Sequence, residues 1–63
     1  MKEKLKKLRN AAQLTQKEAA EKIGVRQSTI SMWENGESVP RLNMLALIAK
    51  AYGCKPSDIV ASE

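Results

Sequence analysis

Apolar residues recur along the chain at helical spacing, and no segment alternates apolar and polar positions with a period of two. This pattern predicts helices throughout and no sheet. Leu5, Leu8 and Ala12 form a first stripe, with Arg9 on its edge and Lys2, Glu3, Lys6, Lys7 and Asn10 over the remainder. They predict a helix from about Lys2 to Ala12. Thr15-Gln16-Lys17-Glu18 has the form of a capping box, in which Thr15 accepts from the amide of Glu18 and Glu18 reaches back to the amide of Thr15. A second helix therefore starts there, turns Ala19, Ala20 and Ile23 inward, and stops at Gly24, which accepts the left-handed conformation. A third helix is expected from about Gln27 to Glu34. Val25 and Ile30 have the spacing of a hydrophobic staple, Ile30 and Trp33 point inward, and Asn35-Gly36 stops it. After a loop over 35–40, a fourth helix runs from about Arg41 to Tyr52, with Leu42, Leu45, Ile48, Ala49 and Tyr52 as its buried face and Gly53 at its end. Pro56 suits the first turn of a short fifth helix anchored by Ile59.

Length confines these helices to one domain, residues 1–63, with no linker, repeat or low-complexity stretch. A chain this short buries only ~60% of the surface it exposes when unfolded, so one small core must suffice. The sequence has no histidine and a single cysteine, Cys54, which excludes a disulfide framework and a Cys/His metal site. It also leaves no histidine for acid–base or triad chemistry, and Glu18 and Glu21 are helix-surface charges without a carboxylate partner. An enzyme is thus not expected, nor is a cofactor, a metal or a small-molecule ligand. The longest apolar run, Met44 to Ala49, is too short to span a bilayer, and the first residues are not those of a signal peptide. A lone thiol fits a reducing, cytoplasmic setting. Eleven Lys/Arg against seven Asp/Glu give a net charge of +4, which on so small a body favours an anionic partner, nucleic acid first.

The stretch QKEAAEKIGVRQSTISMWEN, residues 16–35, carries the most information. It holds two short helices separated by a few residues around Gly24, the spacing of a helix-turn-helix. Ala20 sits where the helices cross, and a longer side chain there would push them apart. Gly24 supplies the turn. Ala19, Ile23, Val25, Ile30 and Trp33 fill the space beneath.

From Leu5 to Ile59 the chain resembles the phage repressor and Cro group, the Xre-like regulators, most specifically in LTQKEAAEKIGV, in the STISMWENG run and in PRLNMLALIAKAYG. The resemblance implies an all-α, compact five-helix, lambda-repressor-like domain with the helix-turn-helix at helices two and three. It implies binding of double-stranded operator DNA, usually as a two-fold homodimer. Carried onto this chain, the family's phosphate-binding glutamine is Gln16, at a helix N-terminus whose free amides suit phosphate. Its base-reading positions fall on Gln27 and Ser28 and, one turn later, on Ser31 and Met32, the residues left outward when Ile30 and Trp33 are inward. Gln27 can pair bidentately with adenine, Ser28 can donate or accept, and Met32 offers apolar contact to a thymine methyl. Asn35 and Arg41 lie on the side that approaches the backbone in the family. Arg9 and Glu34 occupy the positions of a family ion pair that ties helix one to the recognition helix.

Arg26, Arg41 and Lys55 stand where the family commonly has a capping residue. A cation there opposes the helix dipole and gives up a cap commonly worth ~1 kcal/mol. Nearby phosphates would account for Arg26 and Arg41 but not for Lys55. Lys2, Lys4, Lys6 and Lys7 read as a solvated helix face, Trp33 and Tyr52 by phase as core, and Cys54 as a small apolar residue. Met44, Leu47 and Val60 do not fit the buried stripes and are the candidates for a dimer contact, expected to be weak without DNA. The reading that follows is a sequence-specific transcriptional regulator of phage or bacterial type, a repressor. Its alternative is an antitoxin or other protein-interaction module on the same fold. Acidic residues on the reading face would favour that alternative, and Gln27 to Met32 carry none.

Overall fold

The computed structural model describes residues 1–60 and contains, among them, α1 (Lys2–Ala11), α2 (Gln16–Ile23), α3 (Gln27–Asn35), α4 (Leu42–Tyr52) and α5 (Pro56–Val60). Local chemistry sets the ends of these helices. At the start of α2 the Glu18 amide donates to Thr15 Oγ1 at 3.1 Å and the Thr15 amide to Glu18 Oε1 at 2.9 Å, completing the capping box. At its end Gly24 has φ +91°, and the amides of Gly24 and Val25 both donate to the Ala20 carbonyl, at 2.8 and 3.0 Å. A Cβ on Gly24 would meet no atom within 4 Å, so the glycine is required by its dihedral and not by a close neighbour. Gly36, which ends α3, combines φ +80° with the stem of Lys2 lying across it, 2.9 Å from where a Cβ would stand.

Arg26 and Arg41 take the N-cap positions of α3 and α4 without a side-chain cap, as the sequence predicts. Lys55 differs. Its amide donates to Asp58 Oδ2 at 3.0 Å, so the carboxylate one turn on supplies what the lysine side chain lacks.

α2 packs against α3 and α4, while α1 lies against α3, α4 and α5. Leu5, Ile30, Ile48 and Ile59, from α1, α3, α4 and α5, are the most deeply buried large side chains. α2 contributes Ala19 and Ala20, both buried and small enough to let its axis approach its neighbours closely. Trp33 and Tyr52 are core residues, and Cys54 is half-buried against the core, where desolvation first and Asp58 second push its thiol pKa up.

Two positions depart from the expected stripes. Leu42 is 85% exposed instead of buried, whereas Met44 packs partly against the core. The buried arc of α4 is Leu45, Ile48, Ala49 and Tyr52, flanked by Met44 and Ala51. Leu42 would continue that stripe by phase, but it is the first residue of the helix and overhangs the core. Met44, one turn before Ile48, lies on the covered flank. Arg9 is not at the margin of α1 either: only 8% exposed, it occupies the buried stripe with Leu5. Among the described residues no helix is long and apolar enough to cross a membrane.

Candidate nucleic-acid interface

The helix-turn-helix is built by α2, the turn at Gly24 and α3. Ile30 and Trp33 hold α3 to the core, and Val25 packs against the same cluster just before it. That anchoring leaves Gln27 and Ser28 exposed, Met32 38% exposed and Ser31 half-buried on the opposite side. The outward surface from Gln27 to Met32 carries no charge. It offers amide and hydroxyl groups that can donate and accept, and one thioether for apolar contact. Arg26 at the N-cap of α3, Asn35 at its last position and Arg41 at the N-cap of α4 are all exposed. The Asn35 Nδ2 donates to Ser31 Oγ and to Glu37 Oε2, both at 3.4 Å, so two of the expected contact residues are linked to each other. Through the bond from Asn35, Glu37 brings a carboxylate to this edge.

At the far end of α3 the structure brings Arg9, Glu34 and Gln16 together. Arg9 Nε donates to Glu34 Oε2 at 2.6 Å and Nη2 to Glu34 Oε1 at 3.1 Å, a bidentate pair whose side chains are only 10% and 4% exposed. The remaining Nη1 donates to the Leu14 carbonyl at 2.8 Å. The bond to Glu34 raises the guanidinium pKa above its ordinary value, and burial opposes that shift. Gln16 Nε2 donates to Glu34 Oε1 at 3.1 Å. The expected Arg9–Glu34 pair is thus joined by two partners with no signal in the sequence, the Leu14 carbonyl and the Gln16 amide. Tyr52 belongs to the same neighbourhood. Burial, then the Glu34 carboxylate, push its phenol pKa from 10.0 up to about 12, with Arg9 opposing.

An uncharged outward surface on the second helix, with Arg26 at its N-cap and its opposite side fastened to the core, has the construction of a DNA-binding helix-turn-helix. The chain belongs to the helix-turn-helix family of Xre/Cro type: the family's model matches residues 5–59, nearly the whole domain. This is a family of DNA-binding transcriptional regulators. Over its full length the chain is 43% identical to an uncharacterized HTH-type transcriptional regulator of Methanocaldococcus jannaschii, of which it covers 96%. It is 36% identical over 59 residues to the HTH-type transcriptional regulator YgzD of Bacillus subtilis, covering 89% of that protein. It is also 34% identical over 61 residues to the HTH-type transcriptional activator BcrR of Enterococcus faecalis, but spans only 30% of that protein's length.

Proposed function

We propose that this protein represses transcription by binding a short pseudo-palindromic DNA site as a two-fold dimer, with α3 in the major groove. The observation that carries this reading is the uncharged, outward surface of Gln27, Ser28, Ser31 and Met32 on a helix anchored from behind. In it these four residues read base edges, while Gln16, Arg26, Asn35 and Arg41 hold phosphates. One such helix spans few base pairs, so specificity gains from two copies on half-sites one helical turn apart, about 34 Å. Leu47 and Val60, 47% and 48% exposed, are the better candidates for the two-fold contact, and Met44 supports them from a half-buried position. BcrR is named an activator, and this chain spans 30% of that protein's length. We read the chain as a binding protein, not an enzyme.

Selection from random duplex DNA at stated salt, followed by two substitutions, tests this. Gln27→Ala is expected to weaken the selected site by ~1–3 kcal/mol and to relax preference at one base pair. Arg41→Ala is expected to weaken all sequences about equally and to reduce the salt slope by about 1. Unchanged preference on Gln27→Ala would falsify the register of α3, and failure to select any sequence would refute specific binding altogether.

A further inference from the structure

The ion pair at the base of α3 reaches into the proposed phosphate contact. Gln16 opens α2, and its side-chain Nε2 donates to Glu34 Oε1 at 3.1 Å. Glu34 is itself fixed by two bonds from Arg9, at 2.6 and 3.1 Å, and its side chain is only 4% exposed. Arg9 also holds the Leu14 carbonyl, two residues before Gln16, at 2.8 Å. A primary amide has two N–H donors and an acceptor oxygen. One N–H on Glu34 fixes the plane of the Gln16 amide and leaves the other N–H for a second acceptor. A glutamine side chain held in this way has already lost much of the rotamer freedom that binding would otherwise remove.

We infer that Glu34 is a positioning residue for DNA binding, orienting the Gln16 amide for a backbone phosphate, in addition to joining α3 to α1. The inference rests on the proposed phosphate contact of Gln16. It makes the Arg9–Glu34 pair a link between the end of the recognition helix and the phosphate-binding edge of α2. Since Glu34 lies on α3, the phosphate contact and the reading face are then set by the same helix.

A double-mutant cycle on DNA affinity separates this role from a purely structural one. Gln16→Ala, Glu34→Gln and the double variant are compared with the parent on the selected duplex, at a temperature where thermal melts show all four folded. Removing a carboxylate near DNA also changes general attraction, but that change is common to both backgrounds and cancels in the cycle. Gln16→Ala is expected to weaken binding severalfold, and Glu34→Gln to cost about threefold or more in affinity in the parent background beyond its effect in the Gln16→Ala background. Additive effects overturn the positioning role and leave the phosphate contact intact. No loss on Gln16→Ala overturns the phosphate contact and, with it, the inference.

Should Glu34→Gln fail to fold, the parent protein and its DNA complex decide the matter by NMR of the Gln16 side-chain NH2. One proton protected from exchange in the free protein, with the other shifting on addition of DNA, supports the inference. Two equivalent, rapidly exchanging protons in the complex overturn it.

Discussion

Replacing Arg9 by methionine tests the energetics of the ion pair. Methionine keeps much of the arginine stem, so packing in the α1 stripe is largely retained. What disappears is the guanidinium, and with it both donors to Glu34 and the donor to the Leu14 carbonyl. The Glu34 carboxylate, on a side chain 4% exposed, would then keep only the Gln16 amide among these partners. Removing one member of a buried pair typically costs about 3–5 kcal/mol, because the other charge stays buried without compensation. A domain of this size has on the order of 3–5 kcal/mol in total. Arg9→Met is therefore expected to be substantially unfolded at room temperature, or at least to melt ~12 °C or more below the parent. Far-UV circular dichroism during thermal and urea denaturation measures this directly. The double variant Arg9→Met/Glu34→Leu removes both charges and should recover most of the loss, since apolar replacements of buried pairs are often neutral or stabilising. A loss below ~1 kcal/mol for Arg9→Met alone would mean that the pair behaves as a solvent-screened surface bridge, and the argument from burial would be wrong.

Ala20 is 4% exposed on the helix packed against α3, so Ala20→Leu should overpack the crossing by ~1–3 kcal/mol and lower melting temperature and DNA binding together; a variant as stable as the parent would place the crossing elsewhere. Gln13 is exposed and holds φ +60° in the turn between α1 and α2, so Gln13→Gly should raise stability by ~0.5–1 kcal/mol in urea denaturation, and a loss would show that its side chain contributes more than its backbone strain costs. Tyr52 should titrate near pH 12 in the folded protein by ultraviolet absorbance, against 10.0 for the free phenol. Because its folded pKa is raised, its contribution to stability is fully present below pH 10 and is lost as pH rises toward about 12, so alkaline unfolding should be delayed in Tyr52→Phe.

What the sequence discloses here follows the range of the interactions involved. The capping box at Thr15 and Glu18, and the left-handed glycines at 24, 36 and 53, are local events between residues a few positions apart. Their chemistry is therefore legible as a short string, and five helices follow from it with nearly correct ends. The α4 stretch, LNMLALIAKAY, carries apolar residues on several faces, so periodicity alone does not decide which arc is covered. Neighbouring helices decide it, and they cover Met44 while leaving Leu42 outside. Arg9 is the sharper case. As a cation on an amphipathic helix it reads as a boundary residue, yet its partner stands 25 positions away and makes burial tolerable. The bond from Gln16 to Glu34, over 18 positions, carries no periodic signal at all. Nor does the stem of Lys2 lying over Gly36 show in a lysine-rich run.

On the proposed function, the two faces of α3 have separate duties, and this bears on how such a domain can change its target. Ile30 and Trp33 supply stability from the inward face, and Glu34 fastens the helix end to α1. Gln27, Ser28 and Met32 are exposed and take no part in the core, so exchanging them should alter base preference at little cost in folding. Gln16 is the exception, since it is half-buried on Glu34 and proposed for phosphate. A phosphate contact is independent of sequence. On that proposal, the residue tied to the fold is one that need not vary when the recognised site does, and the residues that would vary are the ones the fold leaves free.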